Sequence, residues 1–401
     1  MYQYYTHTNV GDFGAEIDKL ILKLPAKASI SDVDKECFSV FVARKDPNTG
    51  EVLMLPKVYY EKEKFPSQGY RSVKTAYTSD ESGNPVAIGE YITLEMNMEG
   101  DNLGKAISTV GRFNIFVDCE YRITQVKEFG GMSGLVFDEF AGNMCTKTNG
   151  WKNDESTLKY GYFTPKESGK RPLIIWLHGA GEGGEDPRIA YMGNNVVNLS
   201  SPEIQAFFGG AYVLAPQVPT MWLDDGSHQY GRSGKSMYRD DLKTLIDTFI
   251  ASHPIDTDRI YIGGCSNGGF MTMRMLCDYP GFFAGAYPMC QALFDEVITE
   301  ENIATLKNEN IWFVHAMTDS VVDPKETSVP TYERLMKAGA KNVHFTYIND
   351  KPPRRSVNHF CWLPGLRNEC REDYDGKPVL VDGKPVSLFE WLAHQRKQES
   401  L

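Results

Sequence analysis

A chain of 401 residues is long enough for two domains, each with a sizeable core. Its 41% hydrophobic and 24% charged residues match the usage of globular proteins. A formal net charge of -11 argues against nucleic acid or an anionic membrane as the main partner, and no apolar run reaches the length of a membrane span.

The first residues, Met1 to His7, lack the basic and apolar regions of an export signal. The chain as it stands therefore reads as cytoplasmic, or as secreted if such a signal has been removed. From there to about residue 130 the pattern is β structure. Short runs at 19–24, 37–42, 73–77, 91–96 and 113–117 mostly alternate apolar and polar residues. Turn-rich pieces such as Asp46-Pro47-Asn48-Thr49-Gly50 separate them, and strands at this spacing predict a β-sandwich over 1–130.

The character changes near Gly130-Gly131, and residues 131–401 read as alternating strands and helices. Strands are expected at 158–163 and 173–177, as neighbours, and then at 211–215, 259–262, 284–288, 311–315 and 343–347. Helices are expected at 239–252, after residue 266, at 299–308, at 331–338 and near 390–395. Continuous apolar strands between helices predict a mostly parallel sheet covered on both faces. A hairpin with an Asp-Gly turn is expected at 379–386.

Gly263-Gly264-Cys265-Ser266-Asn267-Gly268-Gly269 lies between a strand and a helix and contains G-x-S-x-G, the pattern of a nucleophile elbow. A serine forced onto so sharp a turn sits in strained backbone, and side chains at Gly264 and Gly268 would strike the neighbouring strand and helix. Such a serine needs a base, an orienting acid and an oxyanion hole. Asp319 follows strand 311–315 at the end of the sheet where ligands gather, with Asp323 as its rival. His359 follows strand 343–347 in the polar loop 349–362, and Trp362 is placed to pack beside it. His178-Gly179-Ala180-Gly181 follows strand 173–177, so an N–H of Ala180 or Gly181, with that of Asn267, is expected to hold an oxyanion. Gln217 and Trp222, just past a strand end, are candidates to line the substrate pocket, with core packing the alternative for Trp222.

These features in this order resemble the α/β-hydrolase superfamily over about residues 131–401. Ala215-Pro216-Gln217 with Trp222 and the closing Glu390-Trp391-Leu392 look like the bacterial esterases related to polyhydroxybutyrate depolymerases and prolyl-oligopeptidase-type hydrolases. Gly69-Tyr70-Arg71 and Gly89 to Leu94 look like the immunoglobulin-like domain that precedes some of these esterases. The chain departs from the pattern at Asn358, where a glycine is frequent before the histidine. The resemblance implies an α/β hydrolase preceded by an all-β immunoglobulin-like sandwich. It implies a serine carboxylesterase acting on short- to medium-chain acyl esters, on a small-molecule or polymer-borne substrate such as acylated plant polysaccharide or a polyester. A serine peptidase and a non-enzymatic binding or adhesion protein are the alternatives. No cofactor is expected, and no metal, since H-E-x-x-H, EF-hand and paired-cysteine spacings are missing. The eight cysteines form no C-x-x-C pair and are expected to be free thiols, with one disulfide left open.

Overall fold

The computed structural model describes residues 2–29, 31, 33–56, 62–227, 232–351 and 357–397. His228 and positions 352–356 of the polar loop lie outside the described residues. The chain divides into two compact units, Met1–Val110 with Ile115–Asn149, and Gly111–Asn114 with Gly150–Leu401.

The first unit is built on an eight-stranded sheet. Its order is Gln68–Arg71, Phe38–Lys45, Asp118–Gln125, Val136–Met144, Tyr2–Gly11, Gly14–Ser29, Ile88–Met96 and Val73–Ser79. All neighbours for which a register is given are antiparallel except Tyr2–Gly11 with Val136–Met144. The expected break at 130/131 falls inside this unit, because Val136–Met144 completes the sheet between Asp118–Gln125 and Tyr2–Gly11. Tyr2–Gly11 escapes a hydropathy reading because its inward positions are Tyr4, Thr6, Thr8 and Val10. Threonine favours a pleated strand through its branched Cβ while scoring as polar.

The second unit carries another eight-stranded sheet, in the order Trp151–Glu155, Lys159–Phe163, Tyr212–Gln217, Arg171–Leu177, Ile255–Cys265, Gly285–Met289, Ile311–Ala316 and Val343–Ile348. The six strands from Tyr212–Gln217 onward are parallel, and the two before them are antiparallel. Lys159–Phe163 and Arg171–Leu177 are therefore not neighbours as expected. Tyr212–Gln217 inserts between them, because the chain crosses over through Ile189–Met192 and Pro202–Phe208 before returning to the sheet. The central strands are buried end to end, from Leu173 to Leu177 and from Ile311 to Ala316, as a sheet covered on both faces requires.

Helices Arg239–Ser252, Asn267–Asp278, Glu300–Leu306, Ser328–Lys337 and Leu388–His394 form where sequence periodicity places them. The short helix Trp362–Leu366 and the 3-10 turn Ala180–Glu182 carry too few residues for a period. The hairpin Leu380–Val381 to Lys384–Pro385 turns through Asp382 and Gly383, both at positive φ. All eight cysteines are free. Among the described residues no helix is long and apolar enough to cross a membrane.

Candidate active site

Strand Ile255–Cys265 runs into Ser266, which has φ 55° and ψ -115° and caps helix Asn267–Asp278. Backbone in this region is unfavourable for a residue with a Cβ and is found where surrounding structure enforces it. Here the Ser266 N–H donates to the Met289 carbonyl at 2.9 Å, while its own carbonyl accepts from Phe270. The glycines are required by contact. A Cβ on Gly264 would lie 2.3 Å from the Leu177 carbonyl oxygen, and one on Gly268 would lie 1.9 Å from the same atom. The helix thus starts against strand Arg171–Leu177 at a distance that only hydrogen allows.

Ser266 Oγ lies 2.9 Å from His359 Nε2, and His359 Nδ1 lies 2.8 Å from Asp319 Oδ2. The three residues come from three separate strand ends. Asp319 Oδ1 accepts the N–H groups of Val321 and Val322, each at 2.9 Å. Burial alone would raise the Asp319 pKa. Hydrogen bonds from His315 and His359 outweigh it and hold the carboxyl well below the usual carboxylate range. Asp323 caps its own turn through Lys325 instead.

The structure explains the departure at residue 358. Asn358 has φ 44°, a left-handed conformation that asparagine tolerates better than other non-glycine residues. Its side-chain oxygen accepts from the N–H and the hydroxyl of Ser320 at 3.0 and 3.1 Å. A glycine would supply the conformation and not these bonds. The buried Asp350 carboxylate extends the same tie. It accepts from the Thr318 N–H and hydroxyl at 3.1 and 2.5 Å, and from the N–H groups of Val357 and Asn358 at 2.9 Å each. One carboxylate therefore joins the residue before Asp319 to the residue before His359. Trp362 meets the His359 ring edge to face at 5.3 Å and 88°.

The glycine-rich turn is held from beneath. Glu182 Oε2 accepts the Gly179 N–H at 2.8 Å, and Oε1 accepts from the Asn194 amide, whose oxygen takes the Trp362 indole N–H at 3.0 Å. Burial raises the Glu182 pKa to about 7 against these hydrogen bonds. His178 is buried, its Nε2 accepting from the Val218 N–H at 3.3 Å and its Nδ1 lying 2.7 Å from the Gly179 carbonyl. Burial lowers its pKa to about 4, so it is neutral at pH 7. On this turn Ala180 is half-buried and Gly181 exposed, and Asn267 begins the elbow helix, where an N–H has no intrahelical acceptor.

Gln217 and Trp222 are both buried. Gln217 donates to the Glu182 and Gly184 carbonyls at 2.6 and 3.2 Å, which braces the glycine turn. Trp222 belongs to the core cluster and packs against His178 at 5.4 Å. The expectation that the two face substrate thus gives way to support of the turn, since the chain just past this strand folds inward under it. Cys290, Asp319 and His359 bring ligand atoms within 4.8 Å of one another, but the acid and histidine are already bonded to each other.

Glu182, Asp350, Asn194 and His315 join the site beyond the residues expected from the sequence. Glu182 was visible as an acid inside a glycine turn. His315 lies four residues before the acid, on the strand that leads into its loop. Asp350 and Asn194 carry no local signal.

Residues 3–138 match the esterase Ig-like N-terminal domain, and residues 162–360 match the phospholipase/carboxylesterase family. The chain is 38% identical over 126 residues to poly(3-hydroxyalkanoate) depolymerase C of Paucimonas lemoignei, across 29% of this chain and 27% of that protein. It is 31% identical over 142 residues to feruloyl esterase B of Neurospora crassa, across 35% of this chain and 46% of that protein. The matched segments thus span less than half the length of these relatives. A solved structure described as a thermostable esterase shares the fold over 98% of this chain and 99% of its own, with a TM-score of 0.76 at 22% identity. By these matches residues 162–360 form a domain of the phospholipase/carboxylesterase family, with the α/β-hydrolase fold, preceded in sequence at residues 3–138 by an esterase immunoglobulin-like domain.

Proposed function

We propose that the protein is a serine carboxylesterase that hydrolyses short- to medium-chain acyl esters through an acyl-enzyme. The observation that carries this reading is the unbroken relay from Ser266 Oγ to His359 to Asp319, with contacts of 2.9 and 2.8 Å. Ser266 attacks the ester carbonyl while His359 Nε2 takes its proton. Asp319, kept ionised, orients the imidazole and stabilises the imidazolium. The N–H groups of Asn267 and of Ala180 or Gly181 receive the oxyanion, each worth about 3 kcal/mol in comparable sites. His359 returns its proton to the leaving alcohol and then activates the water that releases the acid. The depolymerase and feruloyl esterase relatives support a polymer-borne or plant-derived acyl ester as substrate. The first unit is read as a structural or substrate-positioning module.

Ser266→Ala tests the reading. It is expected to abolish hydrolysis of a short-chain p-nitrophenyl ester and labelling by a fluorophosphonate, with an unchanged melting temperature. Turnover at the wild-type rate in that variant would remove Ser266 from the mechanism. A peptide amide assayed beside the ester separates an esterase from a serine peptidase.

A further inference from the structure

The acid of the relay carries a second histidine. His315 lies on strand Ile311–Ala316 and is fully buried, with Nε2 at 3.1 Å from Asp319 Oδ2. The same nitrogen is 3.1 Å from the Val322 carbonyl. Its Nδ1 is 2.8 Å from Oγ of Ser328, the first residue of helix Ser328–Lys337. The partners fix the tautomer. A carboxylate and a carbonyl can only accept, so Nε2 carries a proton, and in the neutral ring Nδ1 then accepts from the Ser328 hydroxyl.

Asp319 therefore receives four N–H donors, two on each oxygen: Val321 and Val322 on Oδ1, His359 and His315 on Oδ2. The Asp319 and His315 side chains are both inaccessible to solvent. A carboxylate in that setting stays charged only if its lone pairs are filled. An aliphatic residue at 315 would leave Oδ2 with His359 alone and the Val322 carbonyl without this donor.

We propose that His315 is a positioning residue for ester hydrolysis. Its Nε2–H pins the plane of the Asp319 carboxylate and shares the charge on Oδ2, so that the His359 proton stays on nitrogen while the imidazolium forms. Ser328 sets the tautomer that makes this possible. The inference rests on Ser266, His359 and Asp319 acting as the triad. Among the described residues, titratable groups near this relay include Cys290, whose sulfur lies within 4.8 Å of the ligand atoms of Asp319 and His359, Cys361 beside it, and Asp350, which holds the N–H groups of Val357 and Asn358.

The test is steady-state hydrolysis of p-nitrophenyl butyrate by the full chain as a function of pH. It compares wild type, His315→Phe, His315→Gln, Ser328→Ala and Ser266→Ala. His315→Phe is expected to lower kcat about 10-fold at nearly constant KM, as misplacement of a catalytic group does. The acid limb of its kcat/KM profile should move to higher pH, because an Asp319 with one donor fewer is a stronger anion beside the imidazolium. His315→Gln, whose amide nitrogen reaches the Nε2 position, should restore most of kcat and return the limb. Ser328→Ala should shift both in the same direction as His315→Phe, by less. A wild-type profile in His315→Phe overturns the proposal, and so does an equal loss in the Phe and Gln variants, which would mark a packing role. Should His315→Phe fail to fold, a wild-type kcat and acid limb in Ser328→Ala overturns it instead. Turnover surviving in Ser266→Ala overturns the triad itself. Its loss there, beside wild-type behaviour in His315→Phe, overturns only the role of His315.

Discussion

The elbow that presents Ser266 and the loop that presents His359 solve the same problem by different physics. At the elbow, position is set by backbone and excluded volume. Ser266 is held at φ 55° between a strand and a helix whose approach leaves no room for a Cβ at Gly264 or Gly268. At the histidine loop, position is set by hydrogen bonds of its own polar side chains, within the loop and to the acid loop. Asp350, Asn358 and Ser320 cross-link it to the acid loop, and Trp362 closes on the imidazole ring. A site of the first kind fails by steric collision, and one of the second kind fails by losing partners.

The largest effect should come from the elbow. Gly268→Ala places a Cβ against the Leu177 carbonyl, so the helix must move off the strand. Overpacking of this kind costs about 3 kcal/mol or more. Thermal denaturation should show a fall of several degrees together with loss of activity. A stable, active Gly268→Ala would break the claim that excluded volume fixes the elbow.

Asp350→Ala comes next. It leaves the N–H groups of Thr318, Val357 and Asn358, all half-buried, without this acceptor, at a cost below the ~1–3 kcal/mol of a fully buried unsatisfied group. The expected result is a kcat reduced about 100-fold, since the base and the acid lose their common tie. Asp350→Asn, which keeps an acceptor oxygen, should fall between. If kcat follows melting temperature alone, the tie is structural and the comparison between the two sides weakens.

The smallest effect belongs to the glycine turn. Burial raises the Glu182 pKa from 4.5 to about 7, so the folded state holds a proton that the unfolded state releases between those values. The stability this contributes is fully present below pH 4.5 and is lost as pH rises toward 7. His178 runs the other way. Its pKa falls from 6.5 to about 4, so its contribution is present above pH 6.5 and is lost as pH falls toward 4. Glu182→Gln should therefore keep the acid-side loss from His178 and remove the loss on the alkaline side. Melting temperature measured from pH 4 to pH 8 checks it; parallel curves for the variant and wild type would remove Glu182 as the source.

The same contrast separates what the sequence determined from what the tertiary structure decided. Gly264, Ser266 and Gly268 are contiguous and their reason is local, so the elbow is legible in seven residues. Asp319 and His359 are legible through order, since each follows a strand of the parallel sheet. The buried runs at 173–177 and 311–315 announce that sheet because strands covered on both faces must be apolar throughout. Tertiary structure alone decided that Tyr212–Gln217 inserts between two strands expected to be neighbours, because pairing across a sheet is a long-range choice. It also extended the first unit to Asn149, through a strand in which Phe137 is the one residue below a tenth exposed. And it brought Asp350, Glu182, Asn194 and His315 to the site. Each is one polar residue whose partners are distant in the chain or hidden by a turn, and a hydrogen bond between side chains leaves no period for a sequence to show.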